Sequence, residues 1–436
     1  MIKSSWKPMS NNKVSFFTIV ARNYLAYAYV LGDSVKKHHP NCDFFIFIMD
    51  DINYEYKSEI TNKGFLSIYP DQISLKPYEH FVFKYDIVEA CTGVKPFVIQ
   101  HLLEIGSQKV IYLDPDILCF RRLDEAIEAL DTHSIVITPH SLSPIDLDYF
   151  HSDELLLSYG VYNLGFLGVS RGEVTNNFLA WWGNRLFDRC IKEKSINLFV
   201  DQKWMDLVIS YFDSVFVIRK KTYNIAYWNL HERILQKING KFYLKDPEEP
   251  IAFIHYSSFP LTNLNQISKN LPSPDYQANI EKKFYSLDSR PDLLEPWNLY
   301  RELLISQNHN KYSSINYAYA CYSNGETISQ LERVLFLKSK FWKEQTTNPF
   351  QIDNDSFFNF CRKMGIKSQK PAQINLEVSL TIQKKFKSYI NIFQFFMHIL
   401  IRIMGVDAYT FLVYYISKQL LIINHGFLLK KSDKAD

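Results

Sequence analysis

Residues 109–117 have the sequence KVIYLDPDI, an apolar segment that ends in two carboxylates one residue apart. The apolar residues predict a short buried strand, and Pro115, which has no backbone N–H to donate, marks its end. Because residues two apart on an extended backbone project to the same side, Asp114 and Asp116 can address one point in space. Carboxylate oxygens suit Mg²⁺ or Mn²⁺, which complete their shell with water and phosphate. The alternative is an acidic turn after a strand.

Strands and helices alternate on both sides of this segment. Strands are predicted at residues 14–20, 44–49, 135–138, 162–170 and 251–255, and helices at 94–103, 176–187 and 201–210 and around Leu31 and Val35. This alternation predicts an α/β protein with a mainly parallel central sheet flanked by helices. Ligands in such sheets collect at the carboxyl ends of the strands, where Arg22, Asn23, Asp50 and Asp51 are also expected.

The length and composition set the domain organisation and the range of partners. A chain of 436 residues with 47% hydrophobic residues can form a sizeable core and exceeds one small domain. We predict a first domain over residues 1–272 and a mainly α-helical C-terminal region over residues 273–436. A formal charge of +3 gives no electrostatic preference for nucleic acid, so no nucleic-acid partner is expected.

The cysteines and the N-terminus bear on localisation. The six cysteines are scattered and form no C-x-x-C pair, which fits a reducing cytosol better than a disulfide framework or a zinc site. The first residues lack an apolar core of signal-peptide length. We therefore predict a cytoplasmic protein.

The C-terminal tail, at about residues 385–430, has a different texture. Residues 389–401 are uncharged and mostly apolar but too short to span a bilayer, which needs about 20 residues, and Arg402, Asp407 and Lys418 follow. We predict an interfacial or partner-binding helix pair, which would place the protein peripherally on the cytoplasmic face of a membrane. Packing of the tail against the main domain is the alternative.

Further short motifs follow the acidic pair in chain order. They are Tyr162-Asn163-Leu164-Gly165, Asp201-Gln202, Tyr223-Asn224, Trp228-Asn229 and the segment FIHYSSF at residues 253–259, which contains His255. Together with Asp114-Pro115-Asp116, these motifs resemble those of the GT-A nucleotide-sugar glycosyltransferases, in particular the group of glycogenin and the bacterial lipopolysaccharide galactosyltransferases. The resemblance covers roughly residues 13 to 270.

The resemblance implies a divalent metal site. Asp114 and Asp116 would form an Asp-x-Asp motif that holds Mn²⁺ or Mg²⁺ against the diphosphate of a nucleotide sugar. His255 corresponds to the histidine of a His-x-x-Gly-x-x-Lys motif and would be a third ligand, although a strand-end histidine with purely structural hydrogen bonds is the alternative. Ser258 stands at the glycine position of that motif. Its Lys-Pro is not recognisable, but Lys269 lies downstream.

The remaining donor-site candidates surround this metal site. Lys95, one helix before the strand that ends at Asp114, would contact the donor. Lys95 or Lys269 would stabilise the departing diphosphate together with the metal. The first strand-to-helix loop would recognise the nucleobase. The donor-binding candidates are Thr18, Ala21, Asn23, Asp50, Lys95, Asp114, Asn163, Gly165, Ser257 and Lys269. Asn224 and Trp228 are candidates for the acceptor or sugar pocket.

Asp201 and Gln202 are the catalytic candidates at the reacting face. In a retaining reaction, which the resemblance implies, Gln202 would steady the oxocarbenium-like centre while Asp201 positions hydroxyl groups. An inverting reaction would need a carboxylate base, for which Asp201 or Glu89 could serve. Helix capping by Asp201 and hydrogen bonding of backbone groups by Asn163 are the structural alternatives.

The expected function is transfer of a sugar from a nucleotide-diphosphate sugar, with UDP as the expected nucleotide, to a glycan or lipid-linked acceptor in bacterial surface polysaccharide synthesis. The alternative is a noncatalytic GT-A-like scaffold in a glycan-assembly complex, for which a metal triad would have no use. A two-metal phosphohydrolase is disfavoured, because the sequence shows no second cluster of carboxylates and histidines.

Overall fold

The computed structural model describes residues 13–272, 282–344, 347–366, 396–397, 399–400, 402–406 and 408–434. The chain divides into two compact units, the first from Met1–Leu75 with Ile87–Tyr317 and the second from Lys76–Asp86 with Ala318–Asp436. The domain boundary predicted between residues 272 and 273 borders a segment outside the described residues, and it stays a prediction.

The strands of the described residues all belong to the first unit. They are β1 (Val14–Val20), β2 (Asp43–Ile48), β3 (Leu66–Ile68), β4 (Lys109–Leu113), β5 (Ile117–Cys119), β6 (Ile135–Pro139), β7 (Tyr162–Ser170), β8 (Lys192–Glu193), β9 (Leu198–Phe199), β10 (Val215–Val217), β11 (Leu235–Ile238), β12 (Lys241–Leu244) and β13 (Phe253–His255).

The helices alternate with these strands and then continue alone. They are α1 (Leu25–His38), α2 (Lys57–Asn62), α3 (Tyr78–Phe83), α4 (Ile87–Gly93), α5 (Lys95–Glu104), α6 (Asp124–Thr132), α7 (Asp153–Tyr159), α8 (Glu173–Arg189), α9 (Val208–Tyr211), α10 (Leu294–Ser306), α11 (His309–Ser313), α12 (Gln330–Lys338), α13 (Lys340–Glu344) and α14 (Phe357–Lys363). A 3₁₀ helix over Gln202–Leu207 precedes α9.

Seven strands form the central sheet in the order β10-β6-β7-β4-β1-β2-β3. All neighbouring pairs are parallel except those of β7, which runs antiparallel to both β4 and β6. The predicted α/β architecture, a mainly parallel central sheet flanked by helices, is confirmed. The carboxyl ends of β1 and β4 therefore lie side by side at one edge of the sheet.

The central strands are apolar along almost their whole length because both faces of the sheet are covered. Every residue of β4 is buried, as are six of the seven residues of β1. Helix α1 packs Leu25, Ala28 and Leu31 into the same core. Near-continuous apolar runs are typical of strands covered by helices on both sides. This rigid frame fixes where the polar residues that follow β4 can lie.

A second, two-stranded sheet brings His255 to the acidic pair. After Asp116 the chain enters β5, which pairs antiparallel with β13 so that Ile117 lies opposite His255. The backbone N–H of Tyr256 also donates to the carbonyl oxygen of Asp116, at 2.8 Å. Asp116 and His255, which are 139 positions apart in sequence, thus meet at one strand end.

The second unit is built from helices in its described part. Arg333 on α12 donates to the backbone oxygens of Phe83 and Tyr85, each at 2.6 Å, and thereby joins α12 to the segment around α3. Helix α12 begins with a reciprocal capping box between Ser329 and Glu332. These contacts satisfy buried polar groups within the unit.

The predicted apolar tail lies partly outside the described residues, which omit 367–395. Residues 402–406 and 408–420 are helical. Ile403, Phe411 and Leu420 on these helical residues are 74%, 70% and 69% exposed. Across the described part of the chain, every helix is too short or too polar to cross a membrane.

Candidate active site

Asp114, Asp116 and His255 converge beyond the carboxyl end of β4. Nε2 of His255 lies 3.1 Å from Oδ1 of Asp116 and 3.6 Å from Oδ2 of Asp114. One ligand atom from each residue lies within 4.8 Å of the other two. Two carboxylates and one imidazole form a donor set that fits Mn²⁺ or Mg²⁺ with room for water or phosphate oxygens. The acidic pair is therefore part of a three-residue group, in contrast to a simple acidic turn. We call Asp114, Asp116 and His255 the metal cluster, after the ion that they could hold.

The electrostatics of this cluster also favour a cation. Burial would lower the pKa of His255, but Asp116 and Asp114 outweigh this effect and raise the pKa above its ordinary value. The carboxylates thus stabilise a positive charge between them. A divalent ion would supply that charge in place of the imidazole proton, since a histidine must be neutral to ligate a metal.

Asn163 on β7 orients His255. The amide oxygen of Asn163 accepts a hydrogen bond from Nδ1 of His255 at 3.2 Å and another from the backbone N–H of Gly165 at 3.2 Å. Because Nδ1 donates to Asn163, Nε2 is the ring nitrogen that faces the carboxylates, and loss of its proton would free the lone pair that metal ligation requires. The structural role considered for Asn163 is thus present, but it is combined with one in the metal cluster.

The same amide also contacts Gln202 and His140. Nδ2 of Asn163 lies 3.3 Å from Oε1 of Gln202 and 3.3 Å from Nε2 of His140. Nε2 of Gln202 donates to the carbonyl oxygen of Tyr159 at 3.0 Å, which fixes the other end of that side chain. One asparagine side chain therefore links the metal cluster to the catalytic candidate Gln202.

His140 was missed by the sequence analysis. It directly follows β6, and burial lowers its pKa to about 3, so the imidazole is neutral and can accept from Asn163. Nδ1 of His140 faces the carbonyl oxygen of Val161 at 3.3 Å. Its position two residues after a predicted strand was the available signal, which is similar to the signal that singled out Asp114.

Lys95 and Asp201 form a buried ion pair next to the metal cluster. Nζ of Lys95 lies 2.7 Å from Oδ2 of Asp201 and 3.8 Å from Oδ1 of Asp114, and it donates to the carbonyl oxygen of Leu164 at 2.8 Å. Burial would lower the pKa of Lys95, but Asp201 and Asp114 raise it above the ordinary value. Lys95 therefore remains cationic and connects both acidic residues.

Asp201 has a different role from the helix cap considered above. It occupies the N-cap position of the 3₁₀ helix over Gln202–Leu207, but its side chain makes no capping hydrogen bond. Burial raises the pKa of Asp201 to about 6 despite the opposing effect of Lys95, so the carboxylate is mostly ionised at neutral pH. Asp201 is held as the anion of a buried pair.

Tyr112 is a second residue that sequence reasoning missed. Its hydroxyl donates to Oδ1 of Asp114. The ammonium of Lys95 also lies 4.3 Å from the centre of its ring, a cation–π distance. Tyr112 stands two residues before Asp114 on β4, so its side chain projects to the same side of the strand.

The first strand-to-helix loop lies at the carboxyl end of β1 and contains the nucleobase candidates Ala21 and Asn23, whereas Thr18 lies in β1 and Asp50 follows β2. Oδ1 of Asp50 accepts the backbone N–H of Arg22 at 2.8 Å. Oγ1 of Thr18 and Oδ1 of Asn23 are buried, and the described residues provide no hydrogen-bond partner for either. Ala21, with 2% exposure, provides close packing at the end of the strand.

Tyr24 in this loop was also missed. Its ring is 37% exposed and stacks on the ring of Tyr27, with centroids 4.4 Å apart and planes inclined by 14°. Burial of the hydroxyl, and then the charge of Asp116, raise the pKa of Tyr24. This ring therefore offers a partly exposed aromatic surface in the first strand-to-helix loop, suited to stacking on a planar group.

The segment after His255 differs from the resembled motif by a serine in place of glycine, but it keeps a backbone conformation that glycine favours. Ser258 stands at the glycine position with φ of 55°, in the left-handed region that glycine enters most easily. The backbone N–H of Lys269 donates to the carbonyl oxygen of Ser258 at 2.9 Å, and Oγ of Ser268 donates to that of Ser257 at 2.8 Å. The loop therefore returns the exposed Lys269 beside the segment that follows His255.

Trp228 lies against the metal cluster, and the candidates Asn224 and Glu89 are buried. The ring of Trp228 meets that of His255 edge to face, with centroids 5.2 Å apart. Nδ2 of Asn224 donates to the carbonyl oxygen of Pro139 at 3.3 Å. Glu89, considered as a base for inversion, is buried and accepts the backbone N–H of Lys192 at 2.9 Å.

Gly165 provides a test of this geometry, because a Cβ there would lie 2.5 Å from Cε1 of His255 and 2.8 Å from Oδ1 of Asn163. Gly165→Ala is expected to displace His255 and weaken Mn²⁺ affinity by about tenfold or more, as disturbed outer contacts of metal ligands do. Calorimetric Mn²⁺ titration measures this. Gly168→Ala on the same strand is the control, since its nearest contact is a Leu130 methyl at 3.2 Å. Equal affinities for the two variants would contradict the prediction.

Comparisons with known proteins yield distant similarities. No known family model matches the chain. The uncharacterized protein YfnD of Bacillus subtilis (strain 168) is 22% identical over 254 residues, which cover 56% of this chain and 78% of YfnD.

Three solved structures are similar to this chain. The galactosyltransferase LgtC, in complex with donor and acceptor sugar analogs, is 16% identical with a TM-score of 0.38, and the match covers 67% of this chain and 95% of LgtC. The bifunctional glycosyltransferase WbbM is 11% identical with a TM-score of 0.35, and the match covers 58% of this chain and 47% of WbbM. The glycosyltransferase GlyE of Streptococcus pneumoniae TIGR4 is 14% identical with a TM-score of 0.37, and the match covers 72% of this chain and 67% of GlyE. All three of these similar proteins are glycosyltransferases.

Proposed function

We propose that this chain is a metal-dependent glycosyltransferase that moves a sugar from a nucleotide-diphosphate sugar to a glycan or lipid-linked acceptor. The observation that carries the proposal is the convergence of Asp114, Asp116 and His255 beside the buried Lys95–Asp201 pair. The cluster lies at the carboxyl edge of the sheet, where ligands of such folds bind. The ordered motifs around these residues support the same activity.

The metal and the surrounding chain would divide the work on the donor. Bound Mn²⁺ or Mg²⁺, held by Asp114, Asp116 and His255, would act as a Lewis acid for the departing diphosphate. Lys269, exposed on the loop beside Ser258, is a cation that would reach diphosphate oxygens. Asn163 would hold His255 in the ligating tautomer.

Lys95 acts as a positioning residue in this proposal. Its ammonium is 1% exposed and already contacts Asp201, Asp114 and the carbonyl oxygen of Leu164. An ammonium has three donors, so these contacts leave it little capacity for the donor substrate. Lys95 would instead fix the relative positions of a metal ligand and the residue before Gln202.

The arrangement supports retention over inversion. Asp201 is 1% exposed and paired to Lys95, which disfavours its use as a base for an acceptor hydroxyl. Gln202, fixed by Asn163 and the carbonyl oxygen of Tyr159, would present a polar face to the anomeric centre. Tyr24, Thr18, Asn23 and Asp50 would receive the nucleoside, with UDP as the proposed nucleotide.

The experiment is incubation of the full chain with Mn²⁺ and a panel of nucleotide sugars, UDP-sugars first. The expected result is metal-dependent thermal stabilisation by one donor and slow hydrolysis of that donor to a sugar of retained configuration, followed by NMR. Folded protein that binds no nucleotide in the presence of metal would refute the function. A product of inverted configuration would refute only the proposed mechanism.

The largely exposed helical residues 402–406 and 408–420 lead us to propose a peripheral membrane location for an enzyme of surface polysaccharide synthesis. Phe411 and Tyr414 are 70% and 58% exposed, and Lys418 lies nearby. Aromatic and basic residues together favour the interface of an anionic bilayer. Replacing Phe411 and Tyr414 with serine is expected to weaken co-sedimentation with anionic vesicles by roughly tenfold or more. Ile305→Ser, which alters a side chain 60% exposed in the first unit, is the control, and equal sedimentation would refute this role.

A further inference from the structure

The first unit contains a cavity of about 740 Å³ that includes none of the proposed donor-site residues. Helix α1, strand β5 with the loop after it, the β11–β12 hairpin and helix α10 form its walls. This volume is within the range of pockets that hold small molecules. The cavity therefore needs a separate explanation from the metal cluster.

The interior of the cavity is apolar. Val30, Leu118 and Ile251 are 2%, 5% and 0% exposed and form part of its lining. Leu299 and Leu303 of α10 add half-buried apolar side chains. A concave apolar surface of this kind favours a hydrocarbon group, because that group removes both its own surface and the lining from water.

The charges along the cavity are predominantly positive. Its lining includes four cationic side chains, Lys37, Arg121, Arg122 and Lys241, and two anionic ones, Asp33 and Asp124. Burial and the charge of Lys37 lower the pKa of the lining residue His38, so it is neutral at pH 7.

Two of these cations are available for a ligand. Arg121 pairs with Glu125 at 2.8 Å and Arg122 with Asp124 at 3.0 Å. Within the described part of the chain, the exposed Lys37 and Lys241 have no acidic partner within 4.0 Å. The cavity thus combines an apolar interior with two unpaired ammonium groups.

We propose that this cavity binds an amphipathic anion, a molecule with an apolar chain and one phosphate or carboxylate headgroup. The apolar chain of the ligand would lie against Leu118, Ile251 and Leu303, and its headgroup would contact Lys37 and Lys241. The binding does not depend on the donor site or on a metal ion.

Calorimetric titration of the full chain with decyl phosphate, decanol and inorganic phosphate, below micelle-forming concentrations, tests the proposal. We expect one decyl phosphate per chain, bound at least tenfold more tightly than decanol, and no saturable binding of inorganic phosphate. Equal affinity for decyl phosphate and decanol would overturn the charge requirement. Inorganic phosphate that binds as tightly as decyl phosphate would overturn the requirement for a hydrocarbon chain on the ligand. Absence of saturable decyl phosphate binding would overturn the proposal.

Variants locate the binding. Lys241→Glu is expected to weaken decyl phosphate binding at least tenfold and leave decanol binding unchanged, whereas Leu303→Glu weakens both. Lys245→Glu, an exposed lysine outside the lining of the cavity, is the matched control. Binding that survives Leu303→Glu, or that is lost in the Phe411 and Tyr414 serine variant, would place the ligand elsewhere and overturn the proposal. Circular dichroism and metal-dependent nucleotide binding confirm that each variant is folded.

Discussion

Asp116→Asn is expected to abolish metal-dependent nucleotide binding and to lower sugar transfer by about a thousandfold or more, since Lewis-acid stabilisation of the leaving group contributes several kcal/mol. The substitution keeps the shape of the side chain but removes one of the two negative charges that face Nε2 of His255. A neutral amide oxygen is a poor replacement for a carboxylate ligand of a hard cation. Mn²⁺-dependent nucleotide titration and a transfer assay measure the two effects.

The stability of Asp116→Asn separates the metal site from an acidic turn. Asp116 is a side chain only 15% exposed that faces Asp114 across His255, so removing its charge relieves repulsion with Asp114 and loses attraction to His255, two opposing effects when no metal is bound. We expect the free energy of unfolding without metal to change by about 1 kcal/mol or less, as for most substitutions that create no cavity. Asp213→Asn, at an exposed position, is the control. Retained metal-dependent binding, or a severe loss of stability, would contradict the metal assignment.

Much of the fold could be predicted because its signals are local. The apolar stretches that become β1, β2 and β4 are continuous in sequence, and the segments between them have helical character. The antiparallel direction of β7 could not be predicted, because direction depends on how the chain returns to the sheet. Strand β5 was also missed, since three residues give too little pattern to identify a strand.

The site was predicted where a short motif or a strand end identified it. Asp114 and Asp116 stand out from the apolar strand before them, and their resemblance to a motif led to His255. Tyr112 and His140 were not predicted, because an aromatic residue in a strand and a histidine after one are ordinary core features. Lys95 and Asp201 were both singled out, but their ion pair joins residues 106 positions apart and depends on tertiary packing.

The Lys95–Asp201 pair leads to the second prediction with a large effect. Lys95→Met is expected to lower the free energy of unfolding by about 3 to 5 kcal/mol, because it leaves Asp201 as an uncompensated buried charge. Lys109→Met is the matched control, since Lys109 is also a buried lysine but its partner Asp131 is 59% exposed. An exposed partner can be solvated by water, so we expect the control to lose about 1 kcal/mol or less. Denaturant unfolding measures both.

The pH dependence of Lys95→Met has a defined sign. Burial already raises the pKa of Asp201 to about 6 in the presence of Lys95, and removing the lysine raises it further. A carboxyl group whose folded pKa exceeds its unfolded value destabilises the fold increasingly as pH rises from the unfolded pKa to the folded one. The loss is therefore expected to be larger at about pH 8 than at about pH 5. An equal loss at both pH values would show that Asp201 is not the source.

A double variant separates positioning from stability. Lys95→Met with Asp201→Leu replaces the buried ion pair with apolar side chains of similar size, which is often neutral for stability. We expect unfolding to return to within about 1 to 2 kcal/mol of the original chain. Sugar transfer should remain lost, because the ammonium that joins Asp114 to the residue before Gln202 is then absent. Recovery of transfer together with stability would mean that the pair only supports the fold, whereas recovery of stability alone shows that the Lys95–Asp201 pair is needed for transfer beyond its support of the fold.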